Sequence, residues 1–261
     1  MTETACLLRR DDAGVAILTL NRPQARNALS RELLQLLAAE IAALAEDKSV
    51  RVVIIDGSGP AFCAGHDLRE LRAVNYAPSF TEKLFADCSS VMLSLVRLPK
   101  PVIAQVHGVA TAAGCQLVAS CDLAVAAADA RFATPGVNIG LFCSTPSVAL
   151  SRNVGRKAAM QMLLTGDLID APTALGFGLI SEIAAPDRLA DRTMVLARQL
   201  ASKSPQTLAI GKEAFYLQAD MTMSEAYSYA TRVMIDNLAT SDAQEGIGAF
   251  LDKRQPVWLG Y

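Results

Sequence analysis

Val52, Val53, Ile54 and Ile55 form an unbroken β-branched run, and such a run fits a strand covered on both faces, because a half-wet strand alternates apolar and polar residues. Val15–Leu20 and Val102–Val106 supply further apolar strands. Small residues follow two of these runs. Phe62, Cys63, Ala64, Gly65, His66 and Asp67 come after the first, and the segment Gly108 to Gly114 comes after Val106. Helical spacing then resumes over 67–72, 80–96 and 112–120, with Leu98-Pro99-Lys100-Pro101 ending the longest of these, since proline removes a donor and constrains its predecessor. Leu123–Ala126 returns to strand. Before this, a turn at Asn21-Arg22-Pro23 leads to Ser30, which is placed to cap a helix with the apolar stripe Leu33, Leu36, Leu37, Ile41 and Leu44. The repeated order of strand, loop and helix favours a layered α/β core over an all-helical bundle.

The later chain is mainly helical. Patterns over 145–153, 156–164 and 171–176 are separated by Gly and Pro, a short strand is expected at Ile180–Ile183, and helices are expected over 189–200, 205–216 and 224–238. Thr222 and Glu225 have capping-box spacing. These patterns divide the chain into a core, 1–200, and a helical C-terminal region, 201–261, joined through Ser202-Lys203-Ser204-Pro205.

With 261 residues and 52% hydrophobic composition the chain can bury a sizeable core. Its 24 basic and 26 acidic side chains leave a formal charge of −2 with no basic cluster, so no nucleic-acid partner is expected. Six cysteines without CxxC spacing and only two histidines argue for buried thiols in a reducing compartment and against a metal site. Met1–Arg10 has no long apolar run, and no apolar stretch is long enough for a membrane span. The expectation is a protein without membrane contact, placed in the cytoplasm.

The small-residue loops carry the chemistry. A loop leaving a buried strand presents N–H groups that the sheet does not consume, and a following helix leaves its first donors unpaired. If the N–H groups of His66 and Ala113 converge, they can hold an oxygen that is becoming negative. Read from spacing alone, either loop also fits a tight structural turn.

Taken in order, the segments 61–68, 100–122 and 132–140 resemble successive signature regions of the crotonase superfamily, the enoyl-CoA hydratase/isomerase family. Asn21–Leu29 resembles its first CoA-contacting turn and Glu245–Arg254 its C-terminal helical ending, so the resemblance spans nearly the whole chain. It implies an α/β spiral of repeated strand-strand-helix units with a C-terminal trimerisation region, assembled as a homotrimer or a dimer of trimers. It also implies an acyl-CoA or enoyl-CoA ligand whose thioester carbonyl lies between the N–H groups of His66 and Ala113. Coenzyme A enters as part of that ligand, with no separate prosthetic group. Arg26 and Ala28 correspond to the turn along the pantetheine and phosphate path, and Ala64, His66, Asp67 and Leu68 to the segment near adenine and thioester.

At the catalytic positions the chain departs from the hydratase pattern, placing Gln116 and Gly136 where the resemblance implies two glutamates, and Ser144 where a related isomerase arrangement has an acid. An amide can orient water but is not a general base, and glycine contributes no side chain. Three functions follow: an atypical acyl-CoA-binding enzyme, a conventional hydratase or isomerase with its acid and base elsewhere, or a catalytically silent binder or scaffold. Installing Glu at both 116 and 136 is expected, on sequence logic, to raise hydratase turnover.

Overall fold

The computed structural model describes residues 5–260. The segment read for a leader falls partly on residues 1–4, outside the described residues.

Strands β1 (Leu7–Asp12) and β2 (Val15–Leu20) form an antiparallel hairpin. Helix α1 (Arg31–Glu46) starts at Ser30, whose side chain accepts from Leu33 N as the sequence predicts. Its buried stripe is Leu33, Leu34, Leu37, Ile41 and Leu44, whereas the expected Leu36 is 37% exposed. At about 100° per residue, Leu36 points roughly 110° from the centre of that stripe and Leu34 only about 50°.

β3 (Val52–Gly57) pairs parallel with β2, and its Val52–Ile55 run is buried. α2 (Leu68–Ala73) and α3 (Pro78–Arg97) lead to β4 (Val102–Val106), parallel to β3. Next come β5 (Val109–Thr111), α4 (Ala113–Ser120), β6 (Leu123–Ala127) and β7 (Arg131–Ala133). A 3-10 turn at Pro135–Ile139 precedes α5 (Ser144–Asn153), α6 (Arg156–Thr165), β8 (Ile169–Asp170), α7 (Ala171–Phe177) and β9 (Glu182–Ala184). The last strand lies slightly beyond the expected Ile180–Ile183, because Leu179 and Ile180 are buried in the turn that follows α7. Helices α8 (Leu189–Ala201), α9 (Pro205–Gln218), α10 (Met223–Leu238) and α11 (Ser241–Leu251) complete the chain.

The strands sort into a six-stranded sheet, β1-β2-β3-β4-β6-β9, and a three-stranded sheet, β5-β7-β8. Successive strands alternate between them: β4 enters the large sheet and β5 the small one, then β6 and β7 repeat the step. Each pair is followed by helix, which gives the expected spiral of strand-strand-helix units. α8 packs on β2, β3, β4 and β6, while α1 packs on α3, so the large sheet is covered and its apolar runs are explained. The capping box at Thr222 and Glu225 is formed at the start of α10.

Candidate functional site

The first small-residue loop is held as an extra edge of the small sheet. Cys63 bridges Ala110 of β5 through Cys63 N to Val109 O at 3.1 Å and Thr111 N to Cys63 O at 2.9 Å. Three residues on, His66 bridges Leu29, with Leu29 N donating to Gly65 O at 2.7 Å and Asp67 N to Leu29 O at 3.2 Å. Extended backbone points successive N–H groups to opposite sides. The N–H of His66 therefore faces away from Leu29, and it donates to no group among the described residues.

The second loop meets it there. A Cβ built on Gly65 would lie 2.9 Å from Ala112 Cβ and 3.3 Å from Ala113 N, and one built on Gly114 would lie 2.1 Å from Cys63 O. Glycine at 114 lets α4 start directly against the first loop. Ala113 is the first residue of α4, so its N–H has no intrahelical acceptor, and it has no other partner among the described residues. Ala112 is held at φ 50° and ψ −118°, a conformation costing a residue with a β-carbon about 1–3 kcal/mol. Its N–H donates to Ala133 O at 2.9 Å and its carbonyl accepts from Gln116 N at 3.0 Å, which fixes the strained residue from both sides.

The flanking turn is fixed by Asn27, which spacing did not single out. Fully buried at φ 54°, it donates from Nδ2 to Ser58 O and Ala61 O and accepts Arg22 N at Oδ1. Arg22 then reaches Ala28 O and pairs with Asp67 Oδ2 at 2.8 Å. Asp67 also caps α2 by accepting Arg69 N. Burial alone would raise its pKa, but the Arg22 and Arg69 donors hold it below the usual carboxylate value. Asp67 is thus an anion committed to the scaffold.

The other residues marked for coenzyme A follow the same rim. Ala28 is buried, Ala64 donates its N–H to Arg26 O at 3.0 Å, and Leu68 is 50% exposed at the start of α2. Arg26 adopts left-handed backbone at φ 51° and its side chain is exposed, available to an anion in solvent.

His66 sits edge-on to Phe85 of α3, with ring centroids 5.0 Å apart. Its Nε2 is buried without a partner, and burial lowers its pKa to about 4. The imidazole is therefore neutral in the physiological range. Because the folded pKa is depressed, the stability tied to the neutral ring is present above the ordinary imidazole pKa and lost as pH falls through about 4.

Gln116 is 5% exposed, on the first turn of α4, with Oε1 buried and unpartnered. Gly136 is buried in the 3-10 turn, and a Cβ there would lie 2.4 Å from Leu141 O and 2.9 Å from Cys143 Sγ. That position is closed to a side chain, so the expectation that a glutamate could be installed there is corrected. Ser144 is exposed at the start of α5, its N–H and Oγ both directed to Phe142 O, and no base partners it.

The cysteines pack. Burial pushes the thiols of Cys63, Cys88 and Cys115 up to about 12, and it raises Cys143 despite an opposing bond from the Gly136 backbone. His107 anchors its loop through Nε2 to Gly59 O at 2.9 Å. Among the described residues no group of three or more His, Cys, Asp or Glu could hold a metal ion. Tyr216 OH donates to Asp122 Oδ1 at 2.9 Å inside the chain.

The description "Enoyl-CoA hydratase/isomerase" belongs to the family model that matches residues 10–260. The chain belongs to that family. It is 48% identical over 251 residues to the Danio rerio protein named "Enoyl-CoA hydratase domain-containing protein 3, mitochondrial", covering 96% of this chain and 86% of the relative. The solved structure described as human enoyl Coenzyme A hydratase domain-containing protein 3 superposes with a TM-score of 0.94 at 46% identity, covering 97% of this chain and 100% of that one. A solved enoyl-CoA hydratase from Mycobacterium smegmatis gives a TM-score of 0.95 at 54% identity, covering 98% and 99%. The cytoplasmic expectation is corrected by the relatives at 48% identity, which are named mitochondrial proteins. That expectation rested on reading neither a secretory signal nor a clear transit peptide in Met1–Arg10. No helix among the described residues is long and apolar enough to cross a membrane.

Proposed function

We propose that this family member binds an acyl-CoA thioester with the carbonyl oxygen between the N–H groups of His66 and Ala113. The observation that carries the reading is the pair of unpaired backbone donors on two interlocked loops, with strained Ala112 beside them. When a thioester is attacked or enolised its oxygen gains negative charge, and preorganised donors of this kind stabilise that charge by about 3–4 kcal/mol each. Coenzyme A runs along the rim formed by Arg26, Ala28, Ala64, Asp67 and Leu68, with the exposed Arg26 guanidinium offered to phosphate.

The reaction is an atypical one for the family. Gln116 orients water or substrate without accepting a proton, Gly136 has no side chain, and Ser144 lacks a base. Asp67 is occupied by Arg22, and Glu70 accepts Arg31 N. Two-carboxylate hydration therefore has no acid and base at its usual positions.

Calorimetry with butyryl-CoA and its thioether analogue, which lacks only the carbonyl oxygen, tests the oxygen grip without altering the protein. The thioester is expected to bind at least about tenfold tighter. Equal affinities would show that no oxygen is held there.

The helical tail completes the reading. No apolar residue of α9 or α10 is buried, and Phe215, Met223, Tyr227, Met234, Phe250 and Leu251 are all more than 60% exposed. We place these side chains in contacts between copies, in a homotrimer or a dimer of trimers. Light scattering is expected to give about three or six times the 27.7 kDa chain mass. A one-chain mass that persists across concentrations counts against the assembly.

A further inference from the structure

Ala112 has a backbone that suits glycine better than alanine. Arg26, at φ 51° and ψ 40°, lies in the ordinary left-handed well, whereas Ala112, at φ 50° and ψ −118°, lies outside it, where glycine rests freely and a β-carbon is strained. Its two backbone bonds do not ask for a side chain, since Ala112 N to Ala133 O and Gln116 N to Ala112 O would form equally at glycine. Core packing does not ask for one either, because Ala112 is only partly buried. A local rule broken without a local gain points to a functional reason close by.

The methyl faces the other loop. A Cβ built on Gly65 would lie 2.9 Å from Ala112 Cβ and 3.3 Å from Ala113 N, so the methyl stands against the Gly65 α-carbon at packing distance. The peptide that follows Gly65 carries the His66 N–H, and the peptide that follows Ala112 carries the Ala113 N–H. The methyl is thus a single carbon set between the roots of the two donor peptides. Its removal opens a gap of one methyl and widens the torsional freedom of residue 112, whose ψ aims the Ala113 N–H. Donors aimed at a reacting oxygen must be placed to within about 0.5 Å, so a loosening of this size is felt there.

We infer that Ala112 is a positioning residue whose methyl, set against Gly65, fixes the span between the His66 and Ala113 N–H groups. The inference rests on the oxygen grip proposed above and adds what holds that grip at its width. Strain and positioning then belong together: the fold keeps an unfavourable alanine because the two donors are held ready for the oxygen. Replacement by glycine therefore acts favourably or neutrally on stability and unfavourably on binding, a combination that loss of a packing methyl does not produce.

The test compares the wild type, Ala112→Gly and Ala112→Ser by calorimetry with butyryl-CoA and its thioether analogue, together with the melting temperature of each full chain. Ala112→Gly is expected to lower the preference for the thioester at least about threefold while the thioether binds as before. Its melting temperature should be unchanged or raised, since relief of strain offsets the extra freedom that glycine gives the unfolded chain. Ala112→Ser keeps the β-carbon and should keep the preference. A preference unchanged in Ala112→Gly overturns the positioning role and leaves the oxygen grip standing. So does a preference lost equally in Ala112→Ser, and so does a lowered melting temperature for Ala112→Gly, which would mean that the methyl serves the fold. Equal affinities of the wild type for thioester and thioether overturn both readings.

Discussion

Lys212→Met is expected to destabilise the chain by about 3–5 kcal/mol, the range for removing one partner of a buried ion pair. The Lys212 side chain is 8% exposed and its Nζ donates to Asp122 Oδ2 at 2.7 Å, Leu95 O at 2.8 Å and Lys100 O at 2.9 Å. Burial lowers the lysine pKa while Asp122 opposes that shift, so the ammonium depends on this partner. Removing it leaves two carbonyls without their donor and Asp122 held only by Val102 N and Tyr216 OH. Methionine retains the apolar stem, so the loss reports the charge and its bonds more than packing. Urea denaturation measures the loss. Adding Asp122→Asn to Lys212→Met should recover part of it, because the uncompensated charge is then gone. A loss below about 1 kcal/mol in the single variant would place the pair among weak surface bridges. Asp122 lies just beyond α4, so this knot also ties the helical tail to the element carrying Ala113 and Gln116.

What the sequence could tell depended on how local each signal was. β3 and β4 were legible because they are covered on both faces and keep their apolar runs. β1 was not, since Leu7–Asp12 is an edge strand with burial only at its start and a run of Arg and Asp. β5 and β7 are three residues long and β8 two, too short for any period to emerge. The Ser30 cap, the Thr222 box and the loops before α2 and α4 are each encoded within a few residues, and they could be read. The convergence of the two loops was reachable only through resemblance, because Gly65 and Ala113 are brought together by the small sheet. Bonds made over long separations left no local pattern, as with Lys212 to Asp122 and Asn27 to Ala61.

Gly136 shows how far a missing residue can mislead, and the variant combining Gln116→Glu with Gly136→Glu is expected to lose more than about 4 kcal/mol at neutral pH and to gain no hydration turnover. At 136 the obstacle is steric: Leu141 O lies 2.4 Å from the position of a Cβ, and Leu141 N donates back to Gly136 O at 2.9 Å, closing the turn. Gly140, at φ 79°, is part of the same turn, so the carbonyl cannot retreat without breaking it. This penalty is the same at every pH. At 116 the obstacle is electrostatic, because a carboxyl on a side chain this buried has no cation to pair with and its folded pKa rises above the unfolded value of about 4.3. A raised pKa means that the folded state holds the proton more tightly. The cost is then absent below the unfolded pKa and grows as pH rises toward the folded one. Gln116→Glu alone should therefore match the wild type near pH 4 and fall behind it toward neutrality, while Gly136→Ala should lag by a constant amount. Denaturant midpoints across that pH range separate the two terms, and a crotonyl-CoA hydration assay reads the activity. A double variant as stable as the wild type, with turnover gained, would mean that the Leu141 carbonyl yields and that the hydratase site was lost only in its two side chains.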